Sequence, residues 1–365
     1  MLPYLQQQAI YALASLVVML VVWRLLGRLA REPLRRMLCC LGGFALILLV
    51  YALVTGFDAG GSNLAGFRLI AFGYYGFGIV LPLVGLLQWR RSKAAALFSL
   101  PILAISLWAA LGEPDRLQTR AETVRVERFA TGRPIRIVHV SDLQTVGHCE
   151  REDEALRRIA AWKPDLIVFS GDYLAGPFED PEPAMAAARR FLAGLHARLG
   201  VVVVDGHAEP RRLRERLFEG LDLIYLKDEG ASFDLGDGRR LRVFGATVHD
   251  PDLDGLRPPA DPGELSIVVS HMPDLSPELD GRGVDLHVAG HTHGGQICVP
   301  GFGAILTLSA LPRRYARGLH RFGDHRLNVC AGLGMEGDHA PRIRLFCPPE
   351  ICFIEVEGGA PPPGR

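Results

Sequence analysis

The stretch Gly290-His291-Thr292-His293-Gly294-Gly295-Gln296 follows directly on the apolar run 284–289. It reads as a β-strand running out into a glycine-rich loop. Side chains along a strand alternate with a period of two, so imidazoles one residue apart project the same way. Both rings then reach one small volume beyond a sheet edge, which is how a metal cluster is held.

Four other short β-branched runs end the same way. Residues 135–141 lead into Asp142, residues 165–170 into Gly171-Asp172, residues 201–204 into Asp205-Gly206-His207, and residues 266–270 into His271. Asp and His are the residue types that bind borderline metals such as Zn, Mn and Fe. In α/β sheets ligands collect beyond the carboxyl ends of the strands, so these five termini are expected to converge on one site.

The two parts of the 365-residue chain differ sharply, and all 12 histidines lie after position 138. Before that point four charge-poor stretches, about 9–26, 37–57, 69–89 and 94–112, each approach the roughly 20 residues that span a bilayer. None shows the polar face that a helix of a soluble domain would carry. Pro82 and Pro101 interrupt two of them, which membrane helices tolerate. No basic residue precedes the first stretch and three more follow, so it reads as a retained span and not as a cleaved signal. Residues 1–112 are therefore expected to form a four-helix transmembrane region of a multi-pass protein of the cell (inner) membrane. Arg24, Arg28, Arg31, Arg35 and Arg36 crowd the first loop and Arg90, Arg91 and Lys93 the third, while the second offers Asp58 before Arg68. The positive-inside rule puts the first and third loops in the cytoplasm, and hence the soluble domain on the periplasmic or extracellular side.

The formal net charge is zero, which gives no support to a nucleic-acid partner held by a basic surface. The seven cysteines lack zinc-finger spacing. They read as small buried thiols, with room for one disulfide among Cys330, Cys347 and Cys352 if the domain is extracytoplasmic.

Residues 113–122 read as a linker, 123–357 as one domain and 358–365 as a disordered tail rich in Gly and Pro. Residues 123–129 alternate as an edge strand would. Helical patterns at 150–162, 183–198 and 210–219 lie between the strand signals, which argues for an α/β fold. From Ala231 the pattern changes to short strands, with a hairpin over 233–244 around Asp237-Gly238.

The order Asp142-Leu143-Gln144, Gly171-Asp172, Asp205-Gly206-His207, His271 and Gly290-His291-Thr292-His293 resembles the calcineurin-like metallophosphoesterase superfamily over roughly residues 134–357. With Gly332-Leu333-Gly334 and the run 344–350 it is similar to that family's membrane-associated bacterial branch. The resemblance implies a four-layer α/β/β/α sandwich and two divalent metal ions (Mn, Zn, Fe or Mg) that clamp a phosphate and activate water. It also implies Asp142, residue 144, Asp172 and His293 at one ion, and Asp172, the asparagine of a Gly-Asn-His motif, His271 and His291 at the other. His207 matches the family histidine that binds the phosphate and helps protonate the leaving oxygen, a role suited to a group titrating near neutrality.

Two positions depart from the family pattern. Gln144 stands where the family usually has His, and a neutral amide oxygen there shifts the expected preference toward Mn or Mg over Zn. Gly206 stands where the family has its asparagine ligand, which leaves Asp205 or water as a substitute. His148, His249 and Asp250 are reserve candidates for contact with substrate or water. His139 and His287 fall inside predicted strands and read as core residues.

The sequence thus predicts a membrane-anchored metal-dependent phosphohydrolase that cleaves a phosphomonoester, phosphodiester or pyrophosphate, with a phosphate-containing and possible lipid-linked substrate. Two alternatives stand beside it. One is a degenerate member that binds a phosphate-bearing ligand or partner at the membrane without turnover. The other, a transporter with a regulatory domain, lacks the charged residue in mid-span that marks an ion pathway.

Overall fold

The computed structural model describes residues 2–26, 32–55, 64–176, 178, 180–337 and 340–359. The chain divides into two units: Met1–Pro114 with Glu336–Leu345, and Asp115–Met335 with Phe346–Arg365.

The first unit is helical. Helices α1 (Leu2–Leu26), α2 (Pro33–Thr55), α3 (Leu64–Gly73), α4 (Leu81–Leu87) and α5 (Lys93–Leu111) cover the four expected spans. A π-helical segment, Tyr74–Val80, joins α3 to α4, so that four helical stretches are long and apolar enough to cross a membrane. Pro82 follows that segment at the start of α4, where its missing N–H and ring are accommodated by the wider turn. Ser92 caps α5 by accepting from the Ala95 N–H. Residues 56 and 57 of the second expected span, and Arg28, Arg31 and Asp58 of the loops, lie outside the described residues.

The second unit is a sandwich of two six-stranded sheets. Its strands are β1 (Gln118–Val126), β2 (Ile135–Val140), β3 (Leu166–Phe169), β4 (Val201–Val203), β5 (Ile224–Tyr225), β6 (Glu229–Asp234), β7 (Arg240–Gly245), β8 (Glu264–Val269) and β9 (Leu286–Ala289). A short ribbon of β10 (Cys298–Val299) and β11 (Gly303–Ala304) follows, then β12 (Gly318–Phe322), β13 (His325–Val329) and β14 (Glu350–Gly358). The sheet orders are β1-β14-β2-β3-β4-β5 and β12-β13-β9-β8-β7-β6. Strands β2, β3 and β4 run parallel to one another, as do β7, β8 and β9.

Parallel strands are buried on both faces, which is why β3 and β4 are continuously apolar and β2, β8 and β9 mostly so. Alternate residues sort between the faces. Ile137, Val168 and Val202 meet Leu241, Val243, Ile267 and Val288 between the sheets. Val138, Ile167, Phe169 and Val203 face the helices α6 (Glu150–Trp162), α7 (Glu182–Ala193) and α8 (Arg211–Phe218), through Ile159, Phe191 and Leu213 among others. The fourth layer is thin: the short helix α9 (Ser276–Leu279) and neighbouring loops cover Phe244 and Val268 with Leu253, Leu256, Leu275 and Leu279.

The expected hairpin is present as β6–β7. Two boundaries differ from the sequence reading. β1 begins at Gln118, inside the stretch read as linker, because it pairs with β14 along its whole length. α7 stops at Ala193, ahead of Gly194 and the loop 194–200 that carries His196. Of the tail, Gly358 ends β14, and residues 360–365 lie outside the described residues. The seven cysteines are thiols and form no disulfide among the described residues; Cys352 Sγ accepts from Arg120 Nη2 at 2.9 Å, and Cys347 Sγ donates to the His293 carbonyl at 3.4 Å.

Candidate metal centre

Asp142 and Asp172 follow β2 and β3, His207 follows β4, and His271 and His291 follow β8 and β9, so both sheets deliver their parallel-strand ends to one place. Among the described residues, six of the eleven non-glycine residues with positive φ lie in these loops: Asp142, Gln144, Asp172, His291, His293 and Gln296. Left-handed backbone is costly for such residues and clusters where geometry is over-determined by function.

The loops touch backbone to backbone. A Cβ on Gly206 would stand 2.7 Å from Asp172 Cα, and closer still to its N and Oδ1. Asp172 Oδ1 accepts the N–H groups of His207 at 2.7 Å and Ala208 at 2.9 Å. Its Oδ2 lies 3.2 Å from His271 Nε2, 3.4 Å from His207 Nδ1 and 3.2 Å from Gln144 Nε2. Asp142 Oδ2 accepts the His291 N–H at 3.0 Å, and its Oδ1 lies 3.6 Å from His293 Nε2. Gly290 permits this approach, since a Cβ there would stand 2.7 Å from Ser141 Cβ.

Two histidines have their tautomers fixed from behind. His271 Nδ1 donates to the Ser170 carbonyl at 2.8 Å, which turns Nε2 toward Asp172 as the nitrogen that a metal would take. His291 Nε2 donates to the Leu308 carbonyl at 2.7 Å, and its Nδ1 is buried without a hydrogen-bond partner. A carbonyl behind one ring nitrogen and a bare lone pair in front is the usual support of a metal-bound histidine. Ligand atoms of Asp142, Asp172 and His271 lie within 4.8 Å of one another, as do those of His207, His271 and His291. These donors fit divalent ions.

The charges agree with that reading. Burial pushes the Asp142 carboxyl up to about 6 against the pull of His271. Burial works against charge on Asp172 too, but the His271 and His207 rings hold its carboxyl well below the usual range. His271 is itself lifted to about 9, because Asp172 outweighs burial, whereas burial drops His291 to about 3. The metal-free centre thus holds one positive charge between two buried carboxylates, at a place suited to a cation.

The other expected residues fall elsewhere. Asp205 Oδ1 pairs with Arg214 Nε at 3.1 Å and accepts from the Tyr225 hydroxyl. The carboxylate expected as a substitute ligand anchors Arg214 and Tyr225 and lies outside the clustered donors. His148 pairs with Asp153 at 2.8 Å on the surface. His249 and Asp250 line a separate cavity with Ser270 and Met272. His139, between Ser170 Oγ and Asn328, and His287, between Ser270 and Ser276, are buried core residues as expected. Glu209 was not foreseen. It lies behind Asp172, with Oε2 accepting the Tyr173 N–H at 3.1 Å, and burial with the Asp172 charge raises it to about 7. Its only signal in the sequence is its place two residues after His207.

Residues 135–295 match the sequence pattern of the family described as calcineurin-like phosphoesterase. A Bacillus subtilis (strain 168) metallophosphoesterase, YkuE, is 28% identical over 255 residues, covering 67% of this chain and 87% of the relative. The UDP-2,3-diacylglucosamine pyrophosphatase LpxG of Chlamydia trachomatis is 25% identical over 308 residues, covering 68% and 92%. Among solved structures, the Haemophilus influenzae NAD nucleotidase aligns with 57% of this chain and 46% of its own at 15% identity and a TM-score of 0.39.

Proposed function

The chain carries a calcineurin-like phosphoesterase domain over residues 135–295 and is a metallophosphoesterase; from that premise we propose that it hydrolyses a phosphodiester or pyrophosphate bond of a lipid-linked substrate at a membrane. Asp142, Asp172 and His293 would hold one ion, with Gln144 turning its amide oxygen inward. Asp172, His271 and His291 would hold the other. When bound, two such ions polarise the phosphate and activate water. Mn is favoured, because the neutral Gln144 oxygen suits a hard ion better than Zn.

The protein's own groups do the rest. The carbonyls of Ser170 and Leu308 keep His271 and His291 in their ligating tautomers. The N–H groups of His207 and Ala208 fix the Asp172 carboxylate. His207 Nδ1 faces Asp172 and the His207 side chain is 31% exposed. Nε2, on the far edge of the ring, is then the nitrogen that hands a proton to the leaving oxygen.

The His291 Nδ1 lone pair, buried and aimed into a cluster of carboxylates and imidazoles, carries this reading. The substrate class rests on the similarity to a lipid pyrophosphatase and on the four apolar helices of the same chain. By the positive-inside rule, the arginines of the first and third loops support a hydrolase unit on the periplasmic or extracellular side. Hydrolysis of bis-para-nitrophenyl phosphate by the full chain, with Mn, Zn, Mg or chelator and beside Asp172→Ala, tests the reading. Turnover that needs metal and is lost in Asp172→Ala supports it. A folded chain inert with every metal favours the binding-only alternative, which the absent asparagine ligand at Gly206 would then explain.

A further inference from the structure

Outside the helical unit, only four large apolar side chains are strongly exposed among the described residues; three of them line one cavity and the fourth, Ile305, follows the hairpin directly in sequence. They are Val299 (44%), Phe302 (55%), Ile305 (47%) and Phe346 (53%). Isolated exposed apolar residues are ordinary, but a contiguous set with no others on the domain marks a contact site.

The local structure holds them out. β10 and β11 pair antiparallel, and the Phe302 N–H closes the connecting turn on the Val299 carbonyl at 3.0 Å. Pro300 and Gly301, the latter at φ 78°, are the residues such a turn requires, so Val299 and Phe302 stand at a stiff tip. Beside the hairpin is a cavity of about 490 Å³, lined by Phe302, Phe346, Arg313 and Arg314 among others. Arg313 lies over the Phe302 ring, 3.7 Å from its centre, and Arg314 over Tyr315 at 4.6 Å. Both arginines are exposed, and neither pairs with a carboxylate among the described residues, whereas the neighbouring Arg317 is taken by Glu350. The cavity backs onto the metal-ligand loop: Gly294, next to His293, lines it, and Cys347 donates to the Gly294 carbonyl at 3.4 Å.

Apolar tips flanked by guanidinium groups that no carboxylate neutralises match an anionic lipid surface, with acyl chains for the tips and phosphate for the arginines. A second copy of the chain would have to bring carboxylates to Arg313 and Arg314. A bilayer brings phosphates, and the same chain carries four helices apolar enough to lie in one. We infer that the β10–β11 hairpin with Ile305, Phe346, Arg313 and Arg314 is a docking surface for anionic phospholipid. The inference goes beyond the hydrolytic reading and does not depend on it.

The test uses the full chain in nanodiscs of phosphatidylglycerol, with or without bromine on the acyl chains, carrying Phe302→Trp, or Val299→Trp should the first variant misfold. Glu229→Trp, on an exposed edge strand, is the control. Docking predicts roughly twofold more quenching by the brominated lipid at position 302 than at position 229. Arg313→Gln with Arg314→Gln should cut the docked-to-free ratio about fivefold per arginine. Phosphatidylcholine should weaken quenching as the double variant does. Equal quenching at 302 and 229, quenching indifferent to lipid charge, or shielding of position 302 that follows protein concentration and ignores lipid would each overturn the inference. Hydrolysis is not read in this experiment, so an inactive enzyme leaves it decidable.

Discussion

Adding a side chain at Gly206, the position where the family carries its asparagine ligand, should damage the centre it is meant to complete. The Cβ would meet Asp172 at 2.7 Å from Cα and nearer at N and Oδ1, far inside ordinary van der Waals separation. Neither neighbour can swing away, because both N and Cα are backbone and Oδ1 is held by the His207 and Ala208 N–H groups. Gly206→Ala must therefore separate the loops after β3 and β4. Overpacking of this kind costs about 1–3 kcal/mol. Weakening the charge-assisted bonds to Oδ1 adds about 1–2 kcal/mol. The expected loss is about 2–5 kcal/mol, roughly 4–20 °C in the unfolding midpoint of a domain this size. Thermal unfolding of the metal-free chain reads the first effect, and Mn titration of the folded variant reads a weakened affinity. Gly206→Asn should behave no better. A Gly206→Asn chain with an unchanged midpoint and tighter Mn binding would refute the reasoning, since the loops would then have room for the side chain.

His207→Ala should lower kcat by about 10²–10⁴-fold with metal content unchanged, as loss of a proton donor does; loss of one metal equivalent would make His207 a ligand instead. Glu209 gives a pH test on the metal-free chain. Its folded pKa, about 7, lies above the ordinary value of 4.5, so the folded chain keeps a proton that the unfolded chain releases across that window. Its stabilising contribution is complete below about 4.5 and is lost as pH rises toward 7, roughly 3 kcal/mol in all. Glu209→Gln should flatten the urea-denaturation stability difference over that range, and an unchanged slope would discount the residue. His291→Ala should remove the buried Nδ1 donor and reduce the metal count, measured on the purified chain, while His148→Ala leaves it unaltered.

Much of this arrangement is legible in the chain because periodicity and strand ends carry it. The runs before Asp142, Asp172, His207, His271 and His291 are short, β-branched and mostly apolar, as strands buried on both faces are. Their polar terminal residues are out of place in a core, which marks the site. The helix 150–162 is bounded as read because its amphipathic pattern stops at Lys163, whose φ of 54° ends the helix. What stays hidden depends on contacts between distant residues. Nothing near His291 in sequence points to the Leu308 carbonyl that sets its tautomer. Asp205 looks like a ligand until Arg214 and Tyr225 are seen to hold it. The stretch 118–122 is polar enough to pass for a linker because β1 is an edge strand, and only β14 makes it part of the sheet.

Asp142, Asp172, His271, His291 and His293 are proposed to build a two-ion centre. Elemental analysis of the full chain, purified after Mn loading and desalting, tests this directly beside Asp172→Ala. Two equivalents of metal per chain are expected in the parent, with their loss when the shared carboxylate is removed. Two equivalents retained in Asp172→Ala, or none bound by the folded parent chain, would contradict it.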